Sequence, residues 1–165
     1  MEDILKEASR RLSLLTEDKR NLLLYAEKLV ESHWQFNRVN QHRIKQKIQR
    51  GDKSEKPVSV APYIKMKKGD FTRNKAYITW REWRHNPNAR KGAMKSVITD
   101  LKPYERGYTN TFFIKHCQPW LVNHSIQTER YLEPIRAQLN AMHEHIIKQR
   151  KIVEKLTKQL ETENG

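Results

Sequence analysis

The stretch Val58–Arg106 reads VSVAPYIKMKKGDFTRNKAYITWREWRHNPNARKGAMKSVITDLKPYER, and its period decides the fold. Val58, Val60, Ile64 and Met66 alternate with Ser59, Ala61, Tyr63, Lys65 and Lys67, which is the two-residue period of a half-buried strand. Pro62 interrupts the run and points to an edge strand or a bulge, because proline cannot donate to a ladder. Lys67-Lys68-Gly69-Asp70 carries a hairpin-type turn, and Asp70 to Lys75 can extend the loop. Ala76, Ile78 and Trp80 then alternate with Tyr77, Thr79, Arg81 and Trp83. His85-Asn86-Pro87-Asn88 opens a second loop, and a third strand from about Met94 to Leu101 ends before Lys102-Pro103. The reading is a three-stranded antiparallel β-meander, which needs other elements to cover its apolar face.

The flanks supply that cover. Residues 2 to about 50 read as helix, with Leu15, Leu22, Leu29 and Phe36 at heptad spacing and Leu12, Tyr25, Ala26 and His33 beside them. Thr16-Glu17-Asp18 offers a fresh helix start, so either two helices or one bent helix fits. Gly51 is a natural stop. Beyond the strands, Thr109 or Asn110 can cap a short helix with Phe112, Phe113, His116 and Cys117 on one side, and Pro119 suits the first turn of another. Leu132, Ile135, Leu139, Met142, Ile146, Gln149, Val153, Leu156 and Leu160 then alternate intervals of three and four, the seam of a coiled coil. That stripe must pair with the N-terminal helix of its own chain, with a second copy, or with both; a homodimer is expected. Pro134 either kinks the helix or marks where the seam begins. The expected fold class is α+β, with long coiled-coil-like N- and C-terminal helices flanking a small three-stranded antiparallel β-meander. The expected segments are a helical arm over 1–50, a basic β-meander over 51–108 and a helical region with the seam over 109–165.

At 165 residues, with 36% hydrophobic and 32% charged residues, the chain suits extended helices better than a thick layered core. No run of 18 apolar residues exists, so no membrane partner is expected. The N-terminus has no secretion-signal design, and the single cysteine, Cys117, excludes an intrachain disulfide; a cytoplasmic protein is expected.

The formal net charge is +14, and its location matters more than its size. Arg43 to Lys115 holds 19 Lys/Arg against 6 Asp/Glu, while the segments on either side are near neutral. So concentrated a field attracts a polyanion, with nucleic acid foremost. If Val60, Ile64, Ile78 and Trp80 face the core, strand parity sends Tyr63, Lys65, Lys67, Tyr77, Thr79, Arg81 and Trp83 to the other face. Cations and aromatics together suit phosphates and bases. The candidate nucleic-acid contacts are Lys65, Lys67, Lys68, Arg73, Lys75, Arg81, Trp83, Arg84, Arg90, Lys91, Lys95, Lys102 and Arg106.

Catalytic patterns are missing: there is no glycine-rich phosphate loop, no G-x-S-x-G, no H-E-x-x-H and no C-x-x-C. His143 and His145 lie two apart on a helix and point to different faces. His116, Cys117 and His124 could share an ion only at a favourable Pro119 corner. A non-enzymatic protein without cofactor or metal is expected. Two other classes share these features: a coiled-coil adaptor with incidental basic loops, and an RNA-binding regulator.

A-P-x-I-K at Ala61–Lys65, I-x-W at Ile78–Trp80, a basic insertion, Y-x-R-G-Y at Tyr104–Tyr108, P-W at Pro119-Trp120 and a long terminal helix follow one another. This order resembles the MobI-type mobilisation proteins of conjugative plasmids and integrative elements. The resemblance implies an accessory factor that binds double-stranded DNA at an origin of transfer, helps a separate relaxase engage it, and has no catalysis of its own.

Overall fold

The computed structural model describes residues 1–55, 59–67, 71, 73–85 and 96–163. Their order is α1 (Glu2–Gln49), β1 (Ser59–Lys65), β2 (Tyr77–His85), β3 (Ser96–Leu101), α2 (Asn110–His116) and α3 (Pro119–Glu163). The class is α+β: two long helices flank a three-stranded antiparallel sheet of order β1-β2-β3. The turn at Lys68-Gly69-Asp70, the loop from Asn86 and the start of the third strand at Met94 lie outside the described residues.

α1 is one helix, and the fresh start offered at Thr16 is not used. The Thr16 hydroxyl instead donates back to the Leu12 carbonyl at 2.8 Å, a bond that keeps it inside the helix. Gly51, with φ of 93°, ends the helix. Its N–H reaches the Ile48 carbonyl and the Asp52 N–H reaches the Lys47 carbonyl, both at 3.0 Å. That is the Schellman arrangement, which satisfies carbonyls the helix leaves open. Thr109 caps α2 by accepting from the Phe112 N–H at 3.3 Å. Pro119 opens α3, and the helix continues through Pro134.

The chain gathers into two compact units, each holding about half of α1, with α3 divided before Pro134. The first comprises Met1–Ala26, Met66–Tyr77 and Pro134–Gly165. In it the α3 seam faces its own chain: Ile135, Leu139 and Ile146 are buried, and Gln149 Nε2 donates to the Ala8 carbonyl in α1 at 3.0 Å. The one polar seam residue thus meets a backbone acceptor. Lys19 is wholly buried, and its ammonium donates to the carbonyls of Phe71 (2.7 Å) and Asn74 (2.8 Å). It lies 3.5 Å from His143 Nδ1.

The second unit comprises Glu27–Lys65 and Ile78–Glu133. Its core holds Val60, Ala61, Ile78, Trp80, Leu101, Phe112, Phe113, Leu121 and Leu132. The strand parity holds for Ile78 and Trp80; in β1 it fails around Pro62, where Val60, Ala61 and Pro62 are all buried and Ile64 is half-buried. β1 is an edge strand, as Pro62 implied, and side chains of α1 clamp its start. His33 Nε2 (3.1 Å) and Asn37 Nδ2 (3.2 Å) both meet the Val60 carbonyl, and Gln41 Nε2 donates to Ser59 Oγ at 2.7 Å. Residues 33, 37 and 41 are successive turns of one helix face, so a single stripe makes all three bonds. The Leu15–Phe36 heptad line is the shoulder of the buried face; its centre runs through Lys19, Ala26, His33, Asn37 and Ile44, and Tyr25 is exposed.

Candidate nucleic-acid interface

The sheet loses its cover along β2 and β3. Trp80 pairs with Leu101 in register, and both are buried. Two residues on, Glu82 lies opposite Thr99; farther still, Arg84 lies opposite Val97, and Arg84, Val97 and Thr99 are exposed. On the other face Ile98, opposite Trp83, is 46% exposed. The ribbon's distal half is therefore open to solvent on both faces of β3.

The predicted cations sort into three groups. Lys65, Lys102 and Arg106 are exposed in the second unit. Arg106 sits in the tight turn Tyr104–Gly107, closed by a 2.8 Å bond from the Gly107 N–H to the Tyr104 carbonyl, with Gly107 at φ 87°. Both tyrosines of this element meet Phe112 edge-to-face, at 5.6 Å for Tyr104 and 5.0 Å for Tyr108. The Tyr108 hydroxyl donates to the Leu101 carbonyl at 3.2 Å. The turn is thereby pinned between β3 and α2 with its arginine outward.

The second group belongs to the first unit. Lys67 and Arg73 are exposed, and Lys75 is half-buried with its ammonium 5.4 Å from the Tyr77 ring centre. Lys19 holds the backbone that carries Arg73 and Lys75 through the carbonyls of Phe71 and Asn74.

The third group lies on β2. Arg81 is ion-paired with Asp100, its register partner in β3, and its guanidinium lies 3.7 Å from the Tyr63 ring centre. Arg84 forms a two-bond pair with the nearly buried Glu82, at 2.7 and 3.0 Å. Trp83 packs edge-to-face on Trp34 of α1 at 4.5 Å. Lys68, Arg90, Lys91 and Lys95 lie outside the described residues.

A polar network fixes this scaffold. Trp80 Nε1–H donates to the buried Glu129 carboxylate at 2.8 Å. His33 Nδ1 lies 3.0 Å from Thr128 Oγ1, whose hydroxyl is 2.9 Å from the His124 carbonyl. Since the Val60 carbonyl only accepts, His33 carries its proton on Nε2. Burial drives the His33 pKa down to about 3, despite the Val60 bond. His124 stacks on Phe36 at 3.8 Å, and burial lowers its pKa too. Cys117 is buried, its thiol pKa pushed up to about 11 by desolvation, which makes it an unreactive core residue.

The sequence itself puts positive charge on the last turns of α1, at His42, Arg43, Lys45, Lys47 and Arg50, half structural and half binding in character; the structure adds Trp34, Arg38 and Gln41 beside His42 and Lys45. A groove of about 360 Å³ runs along α1, lined by Trp34, Asn37, Arg38, Gln41, His42 and Lys45, with Ser59 of β1. A second cleft of about 440 Å³ beside Arg106 is lined by Arg130 but also by Glu129 and Glu133, so its charge is mixed. Among the described residues no group of three His, Cys, Asp or Glu is placed to hold a metal ion. No helix among them is long and apolar enough to cross a membrane.

A protein-family model described as "MobI protein" matches residues 22–150, more than half of the chain. Comparison with curated proteins and with solved structures returned no match.

Proposed function

The chain belongs to the MobI family, which carries an accessory role in conjugative mobilisation, and we propose that it performs this role by binding DNA. In this reading it is a non-enzymatic cytoplasmic protein that engages double-stranded DNA at the origin of transfer and assists a relaxase there. The observation that carries the reading is the charge distribution. Between Arg43 and Lys115 there are 19 Lys/Arg and 6 Asp/Glu, and Lys65, Lys67, Lys102 and Arg106 stand exposed. Exposed cations exchange condensed counterions for phosphate contacts, which gives affinity without catalysis. The open β2–β3 ribbon is narrow enough for a major groove.

The adaptor reading is less well supported, because Ile135, Leu139, Ile146 and Gln149 of the α3 seam are used within the chain. The farther seam residues Val153, Leu156 and Leu160 are only half-buried. They leave apolar surface for a second copy, and a homodimer would present two basic heads to one site.

Fluorescence anisotropy on duplexes bearing the element's own origin of transfer, against scrambled duplexes, tests the reading across a salt series. The expected result is tighter binding to the origin and a steep log–log fall of affinity with salt. Equal affinity for both duplexes would remove the origin-specific role, and a flat salt response would remove the electrostatic mechanism.

A further inference from the structure

The groove along α1 has chemistry that the β-sheet interface does not account for. Arg38, His42 and Lys45 fall on one helix face, spaced four and three residues apart. Arg38 and Lys45 are separated by about 10 Å along the axis at 1.5 Å per residue. Among the described residues no carboxylate lines the groove. Arg38 does pair with Glu31, but both side chains are more than half exposed, and such a surface pair yields readily to a stronger anion. Lys45 is exposed, and so is His42, which shares a 3.0 Å contact with Gln46.

At the end of this cationic row stands Trp34. Its contact with Trp83 is edge-to-face, interplanar angle 74°, so the two rings do not stack face on face. An indole beside a row of cations is the pairing that single strands use: the ring stacks a base and the cations follow the backbone. A duplex keeps its bases stacked on each other, so an indole platform adds little to duplex binding. The floor supports the same reading. Asn37 is buried with its Nδ2 committed to the Val60 carbonyl, and Gln41 is committed to Ser59, so the groove keeps its shape without a ligand.

We infer that the α1 groove holds a short run of single-stranded DNA, with a base on Trp34 and the backbone along Arg38, His42 and Lys45. The inference rests on the DNA-binding reading above. It adds a second strand state: duplex on the exposed sheet and turn cations, unpaired strand on α1.

The test uses the full chain and three labelled probes: a ten-nucleotide oligo(dT), an oligo(rU) of equal length, and a duplex. Arg38→Ala/Lys45→Ala is expected to weaken oligo(dT) binding by about tenfold while duplex affinity changes less than about twofold. Trp34→Ala is expected to weaken oligo(dT) similarly, and Trp34→Phe to keep most of it because the ring remains. Circular dichroism confirms folding, and the Phe variant covers the case in which Trp34→Ala disturbs the Trp83 contact. Unchanged oligo(dT) affinity in the double alanine variant overturns the inference. So does failure of the wild type to bind oligo(dT) while it binds duplex, an outcome that leaves the proposed function standing. Failure to bind either probe overturns both. Tighter binding of oligo(rU) than oligo(dT) overturns the assignment to DNA.

Discussion

Trp80 Nε1 donates to Glu129 Oε2 at 2.8 Å, joining the central strand to α3 through a bond that is buried at both ends. A neutral donor to a buried carboxylate is among the stronger protein hydrogen bonds, worth about 1.5–3 kcal/mol. Trp80→Phe removes the donor and leaves the carboxylate buried. We expect a loss of about 3 kcal/mol in urea unfolding, including the smaller ring. Trp80→Phe combined with Glu129→Leu is expected to cost less than the sum of the two single changes. Simple additivity in that double-mutant cycle would show that the bond contributes nothing.

His33 makes stability depend on pH. Its pKa is about 3 in the folded protein and ordinarily 6.5, so the unfolded chain binds more protons between those values. The His33 contribution is therefore complete above pH 6.5 and is lost as pH falls towards 3. The full span corresponds to a loss on the order of 4 kcal/mol. His124 and His116, also lowered by burial, act in the same direction. Urea titrations at pH 7.5 and 4.5 measure the fall. His33→Gln, which can still donate to the Val60 carbonyl, is expected to be less stable at pH 7.5 but to show a shallower decline. A decline as steep as that of the wild type would assign it to other groups.

Lys19 is a structural cation rather than a DNA ligand. Lys19→Met removes the Lys19 donor from two part-buried carbonyls, Phe71 and Asn74. The expected cost is about 2–4 kcal/mol, with hydrogen exchange accelerated first in residues 73–77. Duplex affinity is expected to fall as well, because Arg73 and Lys75 lose their fixed backbone. Protection at 73–77 equal to that of the wild type would show that the segment is held by something else.

The exposed and the paired arginines are expected to separate in binding assays. Lys102→Ala and Arg106→Ala should each lower duplex affinity for every sequence and reduce the salt slope by about 0.9 for each phosphate no longer neutralised. Arg81→Ala removes a pair with Asp100 and the guanidinium over the Tyr63 ring, so its effect should fall on stability more than on affinity. An Arg81→Ala variant with wild-type stability and a reduced salt slope would place Arg81 on the DNA instead.

Period and punctuation made much of the fold legible. The long helix that carries the Leu132–Leu160 stripe, the stop at Gly51, the cap at Thr109 and the edge placement around Pro62 are local signals, and each appears where the sequence puts it. The centre of the α1 face was not legible, because Lys19, His33 and Asn37 are polar. Their burial depends on acceptors that come from distant positions, the carbonyls of Val60, Phe71 and Asn74. The candidate site was legible as a cluster of charge but not residue by residue. Arg81 and Arg84 are set apart from Lys65 by Asp100, Tyr63 and Glu82, and the Asp100 pairing requires the β2–β3 register. The charge of His42 and Lys45 was legible in the sequence, but the groove was not, because Trp34 looks like an ordinary helix-surface residue until Ser59 of β1 comes to lie beside that face.

Only part of what marks this chain as MobI-like lies indoors. Ala61, Pro62, Ile78 and Trp80 are buried, and the aromatic rings of Tyr104 and Tyr108 rest on Phe112. On the proposed reading, the buried part of the signature is a chassis, and the lettering that addresses a particular DNA is carried by side chains mounted outside it. Lys65 and Arg106 sit within the signature elements yet point outward, at the boundary between the two. Retargeting such a protein to another transfer origin is then a matter of exchanging surface residues on an unchanged frame. Two members could share every buried element and still serve different mobile elements without crosstalk.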